Sequence, residues 1–217
     1  MAIQDYYEGQ IWKKHPGAGN LVRWCIGNIK SEEYESLWYL VVPPAMTLLD
    51  DYEAGYKLRG IVIIGEMLER VPGELLKRTG VDGLLFTVRP LALFFRPCNW
   101  CLNFVQSLKI SLTNLHNPLT PSLLLRAIPT LIALITLTTS PGSEVRFDKL
   151  CEVLGDGVIG NVWMYAYNEP DSILASINVL PLLIEALGIG SVRYSKVGNA
   201  LLSMKPPSNR SRLSFPN

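Results

Sequence analysis

Residues 48–71 read LLDDYEAGYKLRGIVIIGEMLERV, and the spacing of their apolar side chains decides the fold class. Leu58, Ile61, Ile64, Leu68 and Val71 fall at offsets 0, 3, 6, 10 and 13, the single stripe of an α-helix. Val62 and Ile63 lie off that stripe, so a helix over Ala54–Val71 is expected to have neighbours on two sides. Asp50 and Asp51 stand just ahead of it, where carboxylates cap and favour a helix start. Pro72-Gly73 is expected to close it.

Working outward, glycine and proline cut the chain into blocks of helical length. Gly19–Ile29 follows His15-Pro16-Gly17-Ala18, with Asn20 a plausible N-cap. Ser31 is read as the N-cap of the next block, which carries Glu32 and Glu33 in its first turn. That block runs to Pro43-Pro44, which must bend or break it, leaving a helical turn over Ala45–Leu49. Further helices are expected over Pro121–Thr139 (entered by Thr120-Pro121), Ser143–Leu154, Val158–Tyr167 and Asp171–Leu187, with Gly188 and Gly190 as a stop. No stretch alternates with period two between turn signals, so the fold class is all-α.

Three turns resemble one another: Leu49-Asp50-Asp51-Tyr52-Glu53, Leu115-His116-Asn117-Pro118 and Tyr167-Asn168-Glu169-Pro170-Asp171. Each joins two apolar blocks through acid or amide side chains that can cap the helix that follows. From Asp51 to Asn117 is 66 residues, and from Asn117 to Asn168 is 51. The stretch 88–106, VRPLALFFRPCNWCLNFVQ, accounts for the excess, since removing its 19 residues gives 47. Leu85, Leu108, Leu112 and Leu115 then fall at offsets 0, 4, 8 and 11, one helical face. Valine codons begin with GT and a glutamine codon can end in AG, so 88–106 is read as an unspliced intron translated in frame, a genuine loop or inserted helix being the alternative. Sequencing the transcript decides between them: a mature message that keeps those codons in most copies ends the intron reading. A repeat of 47–51 residues with two antiparallel helices per unit is that of a HEAT/armadillo-like α-solenoid. The expected organisation is a helical repeat domain over 1–196 and an aperiodic, disordered or aberrant tail over 197–217, which offers no cap to the array. The chain is therefore read as ending early, with an apolar end face left open to aggregation.

Composition narrows function by exclusion. The 217 residues are 48% apolar and 18% charged, which excludes a disordered, collagen-like or coiled-coil chain. A net charge of +1 sets up no field towards nucleic acid or acidic lipid. Four scattered cysteines and no leader pattern point to a reduced, intracellular protein. The most apolar run, Leu123–Leu137, carries Arg126 and Pro129 and is shorter than the roughly 20 residues a bilayer needs. No membrane span is expected, and a membrane-associated helical protein is kept as the alternative.

Chemistry-bearing motifs are sparse. Cys98-x-x-Cys101 has no second pair, and His15 and His116 are far from it, so no metal is expected. Gly17-Ala18-Gly19 follows no strand and lacks a third glycine. There is no P-loop, G-x-S-x-G or H-E-x-x-H, and two histidines give acid–base catalysis little to draw on. The expectation is no catalytic residue, no cofactor and no enzyme, although a helical enzyme with an unrecognised site is weighed and set aside. Asp50 and Asp51 are read as caps rather than a catalytic pair. Lys57 and Arg59 are read as partners of Asp50, Asp51 or Glu53, the sharper reading being a charge ladder at a partner surface. Trp24, Trp38 and Trp163 are read as core aromatics rather than interface anchors.

The run from Trp38 to Glu53, WYLVVPPAMTLLDDYE, continued by Tyr56-Lys57-Leu58-Arg59-Gly60, resembles the Tti-two family, the smaller Tel-two-interacting protein of the Triple T (TTT) complex. Leu75-Leu76-Lys77-Arg78-Thr79-Gly80 and Asp156-Gly157-Val158-Ile159-Gly160 look like a filamentous-fungal member. The resemblance covers about residues 5–87 and 107–195. It implies a non-catalytic α-solenoid subunit, cytoplasmic and nuclear, whose partners are Tel-two and Tti-one type proteins. Through them it implies work with the Hsp90 machinery to stabilise phosphatidylinositol-3-kinase-related kinases, with no nucleic acid or membrane involved. Asp50, Asp51, Tyr52, Glu53, Lys57 and Arg59 are the candidate partner-binding or family-signature residues.

Overall fold

The computed structural model describes residues 11–15, 17–79, 108–109, 112 and 116–196. Every regular element among them is helical, and no strand occurs among the described residues. A short 3-10 turn over Ile11–Lys14 leads into α1 (Ala18–Gly27), α2 (Tyr34–Leu49), α3 (Ala54–Leu68) and α4 (Gly73–Arg78). Then follow α5 (Thr120–Thr138), α6 (Glu144–Glu152), a π-helical stretch over Val153–Trp163, α7 (Pro170–Leu187) and a 3-10 turn over Gly188–Tyr194.

The decisive stretch behaves as its periodicity requires. Ile61, Ile64, Leu68 and Val71 are buried, and Leu58 is partly so. Ile63, off the stripe, is buried as well, because α3 packs against α1 and α2 on one side and α5 on the other. Alternate helices lie against one another in chain order: α1 against α3, α3 against α5, α5 against α7. Further elements cover this row, α2 on α3 and the π-helical stretch on α7. One apolar core runs through the set from Trp12 to Leu187. Leu108 and Leu112, two of the four leucines of the face expected across the join, are both buried; Leu85 and Leu115 lie outside the described residues. So do the stretch 88–106, with Cys98 and Cys101, and the tail 197–217.

Several boundaries differ from expectation, each for a physical reason. Pro43 and Pro44 do not break their helix, and α2 runs straight through them to Leu49. A helical proline orphans the carbonyl four residues back, here those of Tyr39 and Leu40, both residues on the exposed side of the helix. Pro129 in α5 and Pro181 in α7 repeat the device, orphaning Leu125 and Ile177, also exposed. Asn20 lies inside α1, whose N-cap is Gly17. Ser31 opens a 3-10 turn and its hydroxyl donates to the Arg70 carbonyl (2.8 Å), tying that turn to the end of α3. The capping is done instead by Glu33, whose carboxylate accepts from the Lys30 amide at 3.0 Å. The helix Ala54–Val71 stops at Leu68, and Pro72 begins α4 rather than closing α3. Ser143 caps α6 by accepting from the Arg146 amide (3.2 Å).

The two helices expected over Ser143–Leu154 and Val158–Tyr167 are one continuous run, because Gly155-Asp156-Gly157 widens the turn to π geometry instead of ending it. Gly157 has a packing reason to be glycine: a Cβ there would stand 2.8 Å from Leu112 Cδ1. Two described helices are long and apolar enough to cross a membrane, Thr120–Thr138 and the continuous helix Pro170–Tyr194. Half of the most apolar window of the first is buried inside the fold, and 28% of that of the second.

Candidate functional site

Of the six sequence-derived candidates, Asp50, Asp51, Tyr52 and Glu53 form the turn between α2 and α3, and Lys57 and Arg59 follow inside α3; the fold sorts them into two kinds. Asp51 is buried, its side chain 2% exposed. One carboxylate oxygen accepts from the Glu53 amide at 2.8 Å, closing an Asx turn that aims the chain into α3. The other meets Lys13 Nζ at 2.7 Å. Lys13 also donates to Glu53 Oε1 at 3.1 Å, and its ammonium sits 4.5 Å from the Tyr52 ring centre and 5.1 Å from that of Tyr56. Trp12 packs edge-on against Tyr56 at 4.8 Å. Burial pulls the Lys13 pKa down, but the hydrogen bonds and charges of Asp51 and Glu53 outweigh it and hold the pKa above the usual lysine value.

Lys57 was expected to pair with the acids. It is instead buried, and its ammonium donates to the Leu49 carbonyl at 2.9 Å, capping the end of α2. Burial lowers its pKa, the charges of Asp50 and Asp51 working the other way. A buried Lys57 cannot stand in a ladder of surface charges. Arg59 lies with its guanidinium 5.7 Å from the Tyr56 ring and its stem within reach of Gly19, so it bridges α3 to α1. Asp50, Tyr52, Glu53 and Arg59 are exposed, Tyr52 by 78%. Among the described residues it is Lys13 that pairs with Asp51 and Glu53. Its one signal in the sequence is Trp12-Lys13, an aromatic beside a cation in a segment without helical periodicity.

The three similar turns come together in space. A Cβ on Gly55, just past the first turn, would lie 3.9 Å from Leu119 of the second. His116 of the second stands 3.9 Å from Glu169 of the third. The second repeats the Asx closure of the first, the Leu119 amide donating to Asn117 Oδ1 at 2.9 Å. The α2–α3 crossing is set by Gly60, where a Cβ would fall 2.5 Å from the Leu49 backbone nitrogen. Trp24 corrects the reading of it as a core aromatic, being 66% exposed on α1. Trp38 and Trp163 are partly buried against the core, and Trp163 Nε1 donates to Ser176 Oγ at 2.9 Å.

The surface is not as featureless as a plain helical wall. An open groove of about 700 Å³ lies between α3 and α5, lined by Val62, Glu66, Glu69, Arg126 and Pro129 among others. Glu66 is engaged by Arg23 of α1. Among the described residues no three His, Cys, Asp or Glu side chains are grouped as metal ligands would be. The turn presents exposed aromatic and charged side chains, Tyr52, Glu53 and Asp50, beside Arg59 of α3.

The model of the Tti2 family matches residues 1–95 and 106–204. No curated protein and no solved structure matches the chain.

Proposed function

The chain belongs to the Tti2 family, and on that premise we propose that it is a non-catalytic scaffold subunit of the TTT assembly, binding Tel-two and Tti-one type proteins. Through them it acts with the Hsp90 machinery to stabilise phosphatidylinositol-3-kinase-related kinases, in cytoplasm and nucleus. The observation that carries the reading is the family match over both halves of the chain.

The packing supports a solenoid form for this scaffold. Four helices touch in chain order, α1, α3, α5 and α7, with their connecting turns side by side. Stacked pairs of this kind bury one another's apolar sides and offer a long outer surface. Co-expression of the chain with its Tti-one and Tel-two type partners tests the reading. A tagged chain should retain both partners through a salt wash, and its depletion should lower kinase protein without lowering kinase message. Loss of both partners on washing, or kinase levels that do not move, refutes it.

A second reading, a membrane-associated helical protein, draws on the two helices long and apolar enough to span. Carbonate extraction separates the two: a spanning chain stays with the lipid, and a scaffold is released.

A further inference from the structure

Helix α7 buries Ala175, Ser176, Val179, Leu183 and Leu187 against α5, α6 and the π-helical stretch. On the opposite side, Leu174, Ile177, Pro181 and Ile184 follow at intervals of 3, 4 and 3, a second apolar stripe. Nothing among the described residues covers it. Leu174 is 57% exposed, Ile177 41% and Ile184 46%. A helix apolar on two opposite sides is the kind that lies inside an array, with a neighbour on each flank.

The edge of this stripe identifies the neighbour. Asp171, Asn178 and Glu185 recur every seven residues, so they line one side of it, and all three are exposed. Glu169 precedes them, and no Lys or Arg occurs between Pro170 and Leu187. Arg193, just beyond, is turned onto the Phe147 ring (5.4 Å) and the Cys151 sulfur (3.5 Å). A second copy of the chain in antiparallel two-fold contact along α7 would set Asp171 against Glu185 of its partner, which is repulsive. An anionic bilayer surface would meet the same repulsion.

We propose that the outer face of α7 docks an amphipathic helix of a partner protein, one with an aliphatic stripe matched to Leu174, Ile177, Pro181 and Ile184. Its flank carries lysine or arginine against Asp171 and Glu185. The apolar stripe supplies contact area and the acidic edge fixes which helix is accepted and in which direction. This deepens the scaffold reading, and rests on it only in taking the occupant to be a protein.

The test uses the full chain and two labelled helical peptides with identical Leu/Ile stripes at i, i+3, i+7 and i+10. One carries lysines and its twin glutamates at the positions facing Asp171 and Glu185. By fluorescence anisotropy the lysine peptide should bind at least tenfold more tightly than its twin, with the gap closing as salt rises. Ile177→Glu should weaken the lysine peptide at least tenfold while leaving the thermal midpoint unchanged, and Glu185→Lys should shrink or invert the preference between the twins. Twins that bind alike, or an Ile177→Glu chain that binds as before, overturn the proposal. So does a dimer in sedimentation, or uptake by phosphatidylcholine vesicles, that Ile177→Glu abolishes, since the occupant would then be a second copy or lipid. Co-purification with Tti-one and Tel-two type proteins is run in parallel. Wild type and Ile177→Glu assembling equally well sinks α7 as the docking face and leaves the scaffold standing. Peptide discrimination without any assembly sinks the scaffold and leaves α7.

Discussion

Asp51 is the residue on which the α2–α3 turn depends. It closes the Asx turn and faces Lys13 from a buried position, so its loss strands the Glu53 amide and leaves Lys13 with Glu53 as its acid. Asp51→Ala is expected to cost about 2–3 kcal/mol in urea unfolding, and Asp51→Asn, which keeps the turn acceptor, about half that. Alkaline pH probes the same cluster. Lys13 has a raised pKa, so its stabilisation is whole below the ordinary lysine value of 10.5 and is lost as pH climbs through the folded value. Lys57 has the opposite sign: burial lowers its pKa, so the fold gains as pH rises from that lowered value towards 10.5. Lys13→Met should therefore flatten the fall in stability above about pH 10.5; an unchanged alkaline limb would mean that Lys13 does not couple to folding. The acids of this turn were legible in the sequence because caps are local. Their cation was not, because Lys13 reaches them across forty residues.

Single glycines and prolines decide how the helices run and cross. Gly60→Ala would drive a methyl group into the backbone of Leu49, and backbone cannot swing aside. A loss of about 3 kcal/mol or more is expected. Gly65→Ala is the control within the same helix, its Cβ meeting only Thr130 Oγ1 at 3.3 Å. It should stay within about 1 kcal/mol of wild type, since the helix gains what the contact costs. Pro181 sits in the exposed middle of α7, and Pro181→Ala restores a missing hydrogen bond there. A rise of a few degrees in thermal midpoint is expected, from about 1–2 kcal/mol. Helix existence and the buried stripe of α3 were readable from periodicity. The proline breaks and the gap at Gly155–Gly157 were misread because propensity is local, while exposed carbonyls and a π turn let tertiary packing override it.

Across the whole molecule, the row α1, α3, α5, α7 makes a series of near neighbours in sequence out of near neighbours in space. The 47–51 residue spacing points to repeated units, and the contacts of α1, α3, α5 and α7 in chain order are compatible with it. What spacing could not foretell is which faces stay open, since that depends on neighbours rather than on a helix's own pattern. Trp24 on α1 and the outer stripe of α7 are the two clearest cases, at opposite ends of the row. In the proposed scaffold these apolar ends are where helices of the partners continue the row. Mass photometry of the chain mixed with purified Tti-one and Tel-two type proteins puts that claim to its most direct test. The account predicts a single ternary species with one copy of each chain, stable on dilution to nanomolar concentration. Separate peaks for the free chain and a Tel-two–Tti-one pair would contradict it.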